Sequence, residues 1–348
     1  MASSSSGDQG TEPKCSISRD HASGYFYNPF PEFKFLSTTQ LFRFLWSKDN
    51  TNLPSEDNQI DLTLPFKNNF VNVDPKSQNT VTWIGHASCL LKMSGIYVLT
   101  DPIFSQHCSA IQMNVSNKLK RFRQPGLNLE EMDKVDAVVI SHDHYDHLDY
   151  NSVLDINKRF PSSQWFVPLG LKKWFESSGI RSESIHEMTW WEEKSHTFQK
   201  GKLTFTCLPA QHWSMRIAPG IDRNYSLWCG WRVMSSERNV YFAGDTGYNN
   251  RIFRQIGNHC GPFDLSLIPI GAYEPREFLK CQHVNPEEAV KVHDEVNSKF
   301  SLGIHWGTLR QAKEHYLAPP KDLKAALDAA NIDEAKFVTF QHGECREF

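Results

Sequence analysis

A dense group of metal-binding side chains follows directly after a short apolar run in this sequence. Residues 136–140 are Asp-Ala-Val-Val-Ile, a β-branched run that predicts a buried strand. The side chains that follow include His142, His144, Asp146 and His147, at positions i, i+2, i+4 and i+5. No single face of a helix or a strand can carry all four of them. We therefore expect a loop at the end of a strand that wraps around a cation.

The residue types in this group favour a divalent metal ion. Imidazole and carboxylate ligands without a neighbouring cysteine suit zinc, iron or manganese, and zinc is the commonest of these in hydrolases. A structural zinc site is disfavoured, because such sites are usually closed by cysteine ligands. An exposed turn of histidines and acids is also disfavoured, because a ligand type fills every alternate position.

The same residues resemble a known signature. His-x-His-x-Asp-His after a strand is similar to the signature of the metallo-β-lactamase superfamily, and longer strings narrow the likeness. They are residues 83–87 (Trp-Ile-Gly-His-Ala), 99–105 (Leu-Thr-Asp-Pro-Ile-Phe-Ser), 244–248 (Gly-Asp-Thr-Gly-Tyr), 270–276 (Ile-Gly-Ala-Tyr-Glu-Pro-Arg) and 304–308 (Ile-His-Trp-Gly-Thr). From about residue 80 onwards, the chain resembles the family of N-acyl-phosphatidylethanolamine-hydrolysing phospholipases D. The resemblance implies an α/β fold, the metallo-β-lactamase αββα sandwich.

The resemblance also implies a centre of two zinc ions per chain. His142, His144 and His212 would hold one ion, Asp146, His147 and His305 the other, and Asp245 would bridge them. His212, Asp245 and His305 each follow a predicted strand, and strand ends of a rigid sheet can fix several side chains around one cleft. Two close metal ions can activate a water and stabilise the oxygens of a phosphodiester displacement. The same centre serves lactams and thioesters, so the metal ions alone do not select the substrate.

The activity implied by the resemblance is that of a phosphodiesterase of the phospholipase D type. It would hydrolyse N-acyl phosphatidylethanolamine to an N-acylethanolamine and phosphatidic acid. Asp146 and His283 are the candidate catalytic residues, and Tyr145, Gln282 and His283 are the candidate substrate-binding residues. A structural role at a helix start is the alternative for His283, and Tyr145 would either form a cleft wall or lie beneath the metal ions. The alternative function is that of a soluble lactonase or phosphoester hydrolase of this fold that acts on a small polar substrate.

Other polar residues around the signature have predicted supporting roles. We expect His86 to form structural hydrogen bonds rather than bind metal, and Asp101 to stabilise a turn or support a ligand. Asp143 departs from the asparagine that the resemblance leads us to expect, and its charge would adjust the metal affinity. Six further histidines have no ligand partners in the sequence and are expected to be structural or exposed; they are His186, His196, His259, His293, His315 and His342.

The first 79 residues differ in composition from the rest of the chain. Residues 1–24 are rich in serine, glycine and charge and predict a disordered tail, whereas residues 80–348 form the predicted catalytic domain. Residues 25–79 are an aromatic N-terminal arm and a polar linker. Within the arm we expect a short helix over 40–46, capped by Thr38 or Thr39, that carries Leu41, Phe42, Phe44, Leu45 and Trp46. These side chains would either pack on the domain or insert into a bilayer interface.

Charge and hydropathy limit the partners and the compartment. A net charge of −3 offers no general attraction to nucleic acid, which weighs against a nuclease of the same superfamily. The basic segment 118–123 is either a solvated loop or a patch for phosphate groups. The eight cysteines form no C-x-x-C pair and no signal peptide is evident, so we expect a cytoplasmic protein with reduced thiols.

The expected partners are a phospholipid substrate and a membrane surface. No apolar run approaches the about 20 residues that a spanning helix needs, so contact with intracellular membranes would be peripheral. We also consider a homodimer as an assembly state.

Overall fold

Two large β-sheets pack face to face in this protein, with helices on their outer surfaces. The computed structural model describes residues 14–20, 22–54, 57–66, 76–109, 120–217 and 221–348. Within those residues, each large sheet has seven strands, and a further sheet of two strands lies near the N-terminus. The predicted αββα sandwich is therefore confirmed.

The strands are numbered in chain order. The small sheet consists of β1 (Ser18–Arg19) and β2 (Phe26–Tyr27). The first large sheet consists of β3 (Asn79–Gly85), β4 (Ser88–Met93), β5 (Ile96–Thr100), β6 (Ala137–Val139), β7 (Gln164–Pro168), β8 (Ile185–Met188) and β16 (Cys345–Glu347). The second consists of β9 (Glu193–Phe198), β10 (Gly201–Leu208), β11 (Gly230–Met234), β12 (Asn239–Phe242), β13 (Leu265–Pro269), β14 (Ser301–Ile304) and β15 (Phe337–Thr339).

The helices are numbered in the same way. They are α1 (Thr38–Trp46), α2 (Asp57–Thr63), α3 (Tyr150–Arg159), α4 (Lys172–Ser177), α5 (Asn250–Cys260), α6 (Arg276–Leu279), α7 (Pro286–Glu295) and α8 (Ala318–Ala330). Short 3-10 helices span Leu129–Glu131, Ser182–Ser184 and Glu334–Lys336. No helix among the described residues combines the length and the apolar character needed to cross a membrane.

Each large sheet changes from antiparallel to parallel pairing along its width. In the first sheet β3, β4 and β5 pair antiparallel, and β5 to β8 pair parallel. In the second sheet β9 to β12 pair antiparallel, and β12 to β15 pair parallel. Parallel strands end at the same edge of a sheet, so the loops after β6, β12 and β14 gather on one side of the molecule.

The space between the sheets is filled by apolar and aromatic side chains. Phe166 of β7 stacks on Phe205 of β10 with ring centroids 3.6 Å apart. Trp231 of β11 is fully buried and donates its indole N–H to the Ile140 carbonyl at 2.8 Å. That bond ties the second sheet to the segment that leads into the histidine cluster. On the outer face of the first sheet, Val153 of α3 and Phe175 of α4 belong to a separate buried cluster.

The tail predicted over 1–24 differs from the structure where the structure describes it. Strand β1 pairs with β2, and Cys15 is buried. The Cys15 backbone N–H donates to Gln255 at 2.8 Å, and its carbonyl accepts the Trp191 indole N–H at 2.6 Å. Individual bonds to the domain hold this segment, and such bonds leave no periodic pattern in the sequence. Residues 1–13 and His21 lie outside the described residues.

The aromatic arm both packs on the domain and presents exposed rings. Ser37, rather than Thr38 or Thr39, caps α1, and its hydroxyl accepts the Gln40 N–H at 3.3 Å. Phe44 packs edge-on against Phe278 with ring centroids 5.8 Å apart. Phe42 and Trp46 stack on each other and are 61% and 78% exposed. The Leu41 and Leu45 side chains lie outside the described part of the chain.

The described part of the basic segment 118–123 is largely structural rather than a solvated loop or a free patch. Arg121 is buried and donates to the carbonyls of Ile103 and Arg123 at 2.6 and 3.0 Å. The Arg123 guanidinium lies 3.3 Å from the centroid of the Phe66 ring and pairs with Asp61. Of the described residues 120–123 of this segment, Lys120 is the exposed one. Residues 118 and 119 lie outside the described residues.

Candidate metal centre

The loops at the strand ends bring all seven predicted metal ligands into one cluster. His142, His144, Asp146 and His147 follow β6, and the other three follow β10, β12 and β14; the full set is His142, His144, Asp146, His147, His212, Asp245 and His305. Five of these side chains are buried, and His144 and Asp146 are half-buried. The four loops that carry these residues are far apart in the sequence, and the strands that precede them belong to both large sheets. The two sheets therefore supply the rigid frame that holds the cluster together.

The first group of nitrogen atoms contains His142, His144 and His212. His142 Nε2 lies 2.8 Å from His144 Nδ1, which in turn lies 3.3 Å from His212 Nε2. Two nitrogens bound at about 2.1 Å to one tetrahedral zinc ion would lie roughly 3.4 Å apart. The observed spacing is close to that value, so these three atoms can share one ion after a small adjustment.

The second group contains His147, His305 and Asp146. His147 Nε2 lies 3.2 Å from His305 Nε2 and 3.1 Å from Asp146 Oδ2. His305 Nε2 lies 3.7 Å from the same carboxylate oxygen. The group therefore offers two imidazoles and one carboxylate to a second ion.

Asp245 lies between the two groups. Its Oδ2 atom is 3.1 Å from His147 Nε2 and 3.8 Å from His212 Nε2, and its Oδ1 atom is 3.0 Å from His305 Nε2. Gly244 precedes it with φ of 60°, and a Cβ there would lie 2.6 Å from the Ser141 Cβ. Glycine thus permits the close approach that brings the Asp245 carboxylate to both groups.

Hydrogen bonds on the far side of three rings set their tautomers. Asp101 is fully buried and accepts from His147 Nδ1 at 2.7 Å, and the Gln282 carbonyl accepts from His212 Nδ1 at 3.0 Å. Ser141 Oγ donates to Asp101 at 2.5 Å and so accepts from His142 Nδ1 at 2.8 Å. Each of these rings then carries a proton on Nδ1 and turns its Nε2 atom toward the cluster.

The electrostatics of the cluster fit a bound cation. Burial lowers the pKa of His142 and of His212 well below the usual range, so both rings are neutral ligands. Burial alone would also lower the pKa of His147, but Asp245 and Asp146 together raise it well above the usual value. Carboxylates that favour a proton at that position favour a metal ion there as well. The Nε2 atoms of His142 and His212 both point at His144 Nδ1, at 2.8 and 3.3 Å, so one shared cation would accept a lone pair from each of the three rings.

His86 forms a structural hydrogen bond, as predicted, and it also lies within ligand distance of Asp146, His147 and His305. Its Nε2 atom lies 2.9 Å from Asp146 Oδ2, and burial lowers its pKa to about 3, so the neutral ring donates. The His86 backbone N–H donates to Thr308 Oγ1 at 2.8 Å. His86 therefore holds the Asp146 carboxylate from the side of β3.

Asp143 is engaged by the loop after His212. Its carboxylate accepts the Met215 N–H at 2.8 Å and the Ser226 hydroxyl at 2.7 Å, and its carbonyl accepts from Arg216 at 2.8 Å. Asp143, at the position where the resemblance predicts asparagine, thus anchors this loop. In the described residues its carboxylate bonds to that loop.

A cavity of about 440 Å³ opens beside the cluster. Both polar and apolar side chains line this cavity. The polar set includes Tyr145, Arg216, Gln282, His283 and Gln311, and the apolar set includes Phe44, Met215, Ile217, Leu279 and Leu309. The cavity can therefore receive a charged group beside the cluster and an apolar group along its wall.

The predicted substrate residues all line this cavity. Within the part of the chain that the structure describes, His283 Nδ1 has no hydrogen-bond partner. It lies 3.8 Å from Asp245 Oδ2, and burial lowers the His283 pKa to about 4. Gln282 accepts the Trp213 indole N–H at 2.5 Å. Tyr145 is half-buried and donates its hydroxyl to the Arg216 carbonyl at 2.8 Å. It therefore forms a cleft wall and does not lie beneath the cluster.

Sequence reasoning missed several residues of the site. Gln311 donates to Asp146 at 2.5 Å, and the Arg216 guanidinium lies 4.2 Å from the Tyr145 ring. Asn28 donates to the His212 carbonyl at 2.8 Å. Phe44, which we considered only for the arm, lines the cavity. These residues have no fixed spacing from the histidine signature, so no pattern in the sequence marks them.

Comparison with known proteins places this geometry among metal-dependent hydrolases. Residues 97–306 match the family described as the beta-lactamase superfamily domain. N-acyl-phosphatidylethanolamine-hydrolyzing phospholipase D 1 of Caenorhabditis elegans is 42% identical over 318 residues, which cover 89% of this chain and 87% of that protein. The mitochondrial N-acyl-phosphatidylethanolamine-hydrolyzing phospholipase D of Saccharomyces cerevisiae is 28% identical over 340 residues, which cover 86% of this chain and 71% of that protein.

A solved structure shares the fold. The isothiocyanate hydrolase from Delia radicum gut bacteria superposes with a TM-score of 0.59 and 17% identity, covering 77% of this chain and 98% of that one. Because the sequence identity is only 17%, this comparison shows a shared fold and nothing about the function.

Proposed function

The chain belongs to the N-acyl-phosphatidylethanolamine-hydrolysing phospholipase D family of the metallo-β-lactamase superfamily, and we propose that it hydrolyses N-acyl phosphatidylethanolamine to an N-acylethanolamine and phosphatidic acid. We propose further that it does so as a dinuclear zinc enzyme. The observation that carries the proposal is the convergence of seven ligand-type side chains beside a cavity that is lined by both polar and apolar residues.

The donor set supports two ions. His142, His144 and His212 would hold one, Asp146, His147 and His305 the other, with Asp245 shared between them. Two divalent ions, when bound, would stabilise charge on the phosphate oxygens and lower the pKa of a water toward neutrality. Histidine and carboxylate without thiolate suit zinc, and the tautomers set by Asp101, Ser141 and Gln282 give it neutral nitrogen ligands.

The chain's own residues would orient the phosphate and the attacking water. Asp146 is held by His86 and Gln311, so its carboxylate has a fixed direction beside the cavity. His283 is buried and neutral, and its Nδ1 atom can donate a hydrogen bond to a phosphate oxygen or accept a proton from a water. These positions support the catalytic roles of Asp146 and His283 and the substrate-binding role of His283.

The apolar lining residues of the cavity support a lipid substrate. Phe44, Met215, Ile217, Leu279 and Leu309 offer a surface on which acyl chains can pack. A small polar substrate would make no use of that surface. The lipid therefore fits this cavity better than the substrates of a lactonase or a sugar-phosphate hydrolase.

Helix α1 supports peripheral contact with a membrane. It supplies Phe44 to the cavity, and it exposes Phe42 and Trp46, whose rings are stacked 5.5 Å apart. Ile217, which also lines the cavity, is 71% exposed. Exposed aromatic and apolar side chains beside a cavity favour insertion into an interface from which a lipid can enter. We propose a peripheral protein on the cytoplasmic side of intracellular membranes.

Product analysis with N-acyl phosphatidylethanolamine in mixed micelles tests the proposal. The protein with two zinc ions per chain, assayed in ¹⁸O-water, should release phosphatidic acid and N-acylethanolamine in equal amounts, with the label in phosphatidic acid. A chelator should abolish the reaction, and zinc should restore it. Free fatty acid or diacylglycerol as the product, or a metal-replete protein without activity on the diester, would contradict the proposal.

A further inference from the structure

The chain before α1 reaches the back of the metal centre. Asn28 Nδ2 donates a hydrogen bond to the His212 carbonyl at 2.8 Å. Asn28 Oδ1 accepts the Phe30 backbone N–H at 3.2 Å, and this local turn fixes the direction of the amide. A residue 184 positions away in sequence thus contacts the backbone of a proposed ligand.

A neighbour of Asn28 is also linked to the chain between β10 and His212 through two tryptophans. Phe30 is buried and stacks on Trp190 with ring centroids 6.0 Å apart. The Trp190 indole donates to the Trp228 carbonyl at 2.7 Å, and the Trp228 indole donates to the Ala210 carbonyl at 2.9 Å. These contacts place residues 28–30 firmly against the chain that leads from β10 to His212.

The same segment also contacts the neighbours of His212. Phe35 packs edge-on against Trp213 with ring centroids 5.5 Å apart, and the Trp213 indole donates to the Gln282 side chain at 2.5 Å. The Cys281 thiol donates to the Lys34 carbonyl at 3.4 Å. Gln282 in turn accepts from His212 Nδ1, so both the backbone and the ring of His212 depend on contacts to this segment.

We infer that Asn28 is a positioning residue for the His212 ligand. His212 lies beyond the end of β10, where the ladder of the sheet no longer fixes the backbone. The Asn28 amide fixes the carbonyl instead, and the Nε2 lone pair is thereby kept directed at His142 and His144. A shift of the backbone by a fraction of an ångström would misdirect that lone pair. The inference rests on the proposed metal centre and extends it to the N-terminal segment.

Two substitutions at Asn28 separate the bond to His212 from the local turn. Asn28→Asp keeps the size of the side chain and the acceptor for the Phe30 N–H, but it turns an oxygen toward the His212 carbonyl. Asn28→Ala removes both bonds. Glu32→Ala is the matched control, because Glu32 is exposed in the same segment.

Metal affinity, measured by competition with a chelator, is the primary readout. Residues that support a ligand typically change metal affinity by about 10- to 100-fold, and Asn28 acts through the backbone, so we expect about a 10-fold loss for one of the two ions. The other ion should bind as in the wild type. The visible spectrum of the cobalt(II)-substituted protein should change in Asn28→Asp and remain unchanged in Glu32→Ala.

A second measurement distinguishes positioning from general support of the fold. The thermal midpoint of the metal-free protein should fall slightly in Asn28→Asp because one hydrogen bond is lost, and the rise on adding metal should also be smaller in the variant. Wild-type metal affinity and cobalt spectrum in both Asn28 variants would overturn the inference and leave the two-ion centre standing. An equal fall of both midpoints would overturn it as well. A wild-type protein that binds fewer than two ions would instead remove the proposed centre itself.

Discussion

Asp101 Oδ2 lies 2.7 Å from His147 Nδ1, and both side chains are completely buried. The same carboxylate accepts the Ser141 backbone N–H at 2.7 Å and the Ser141 hydroxyl at 2.5 Å. Three donors therefore converge on two oxygen atoms. This arrangement fixes the orientation of His147 directly and that of His142 through Ser141.

We predict that Asp101→Asn weakens metal binding by about 10- to 100-fold. An amide has only one acceptor oxygen, so at least one of the three donors would face an NH₂ group. The affinity is measured by competition with a chelator, alongside kcat/KM on the micellar lipid. Asp133→Asn is the control, because Asp133 is exposed. Unchanged affinity in Asp101→Asn would show that the His147 tautomer does not depend on Asp101.

We predict that His283→Ala lowers kcat by about 10²- to 10⁴-fold while two metal ions remain bound, as expected for loss of a general acid or base. Among the described residues His283 Nδ1 has no hydrogen-bond partner, so the substitution breaks no hydrogen bond at that atom. His283→Asn retains a hydrogen-bonding atom near the Nδ1 position but cannot transfer a proton. Recovery of activity in His283→Asn would assign His283 to phosphate binding alone.

The control for His283 is His259→Asn, at an exposed position on α5. Its kcat should match that of the wild type. A loss of bound metal in His283→Ala would contradict the prediction, because His283 also lies within ligand distance of Asp245 and His305. The metal content must therefore be measured in each variant before the rates are compared.

The convergence of the seven candidate ligands could be predicted from the sequence, because the family resemblance named them and each follows a recognisable strand. The run before His142, the alternating pattern before His212 and the glycines around Asp245 are local signals. Parallel strands end at a common edge, so these signals also predict that the side chains meet. The alternation of strands and helices predicts a layered α/β architecture, and the family resemblance adds the αββα sandwich.

The residues that support the ligands could not be predicted in this way. Asn28 and Gln311 reach the centre from distant parts of the chain, and their roles depend on the final packing of both sheets. The two arginines of the basic segment, Arg121 and Arg123, are buried by carbonyls and by an aromatic ring that are remote in sequence. The basic residues of segment 118–123 predicted an exposed surface, whereas contacts with distant parts of the chain bury Arg121 and Arg123.

We predict that the double substitution Phe42→Ser and Trp46→Ser weakens binding to lipid vesicles by at least about tenfold. Burial of one large apolar side chain contributes roughly 1.5–3 kcal/mol, and both rings are exposed in the free protein. Vesicle flotation measures the binding. The kcat on monomeric or micellar substrate should change little, because neither ring lines the cavity.

Leu62→Ser is the control for the membrane prediction. Leu62 is 83% exposed on α2 and does not line the cavity, so its loss removes a similar apolar surface elsewhere. Vesicle binding of this variant should remain close to that of the wild type. If the double variant floats with vesicles as well as the wild type does, the exposed rings of α1 are not the membrane contact.

The bond between His86 and Asp146 leads to a prediction that a conservative variant can test. His86 Nε2 donates to Asp146 Oδ2 at 2.9 Å from a fully buried ring. The side-chain amide nitrogen of Gln can reach the position of Nε2, whereas the Asn side chain is too short to do so. We therefore predict that His86→Asn loses about 10-fold or more in metal affinity and that His86→Gln retains most of the wild-type affinity. Asn also tolerates the His86 φ of 52° well, so strain does not account for a loss in that variant. Chelator competition measures both affinities, and equal losses in the two variants would show that His86 acts by filling space rather than by orienting Asp146.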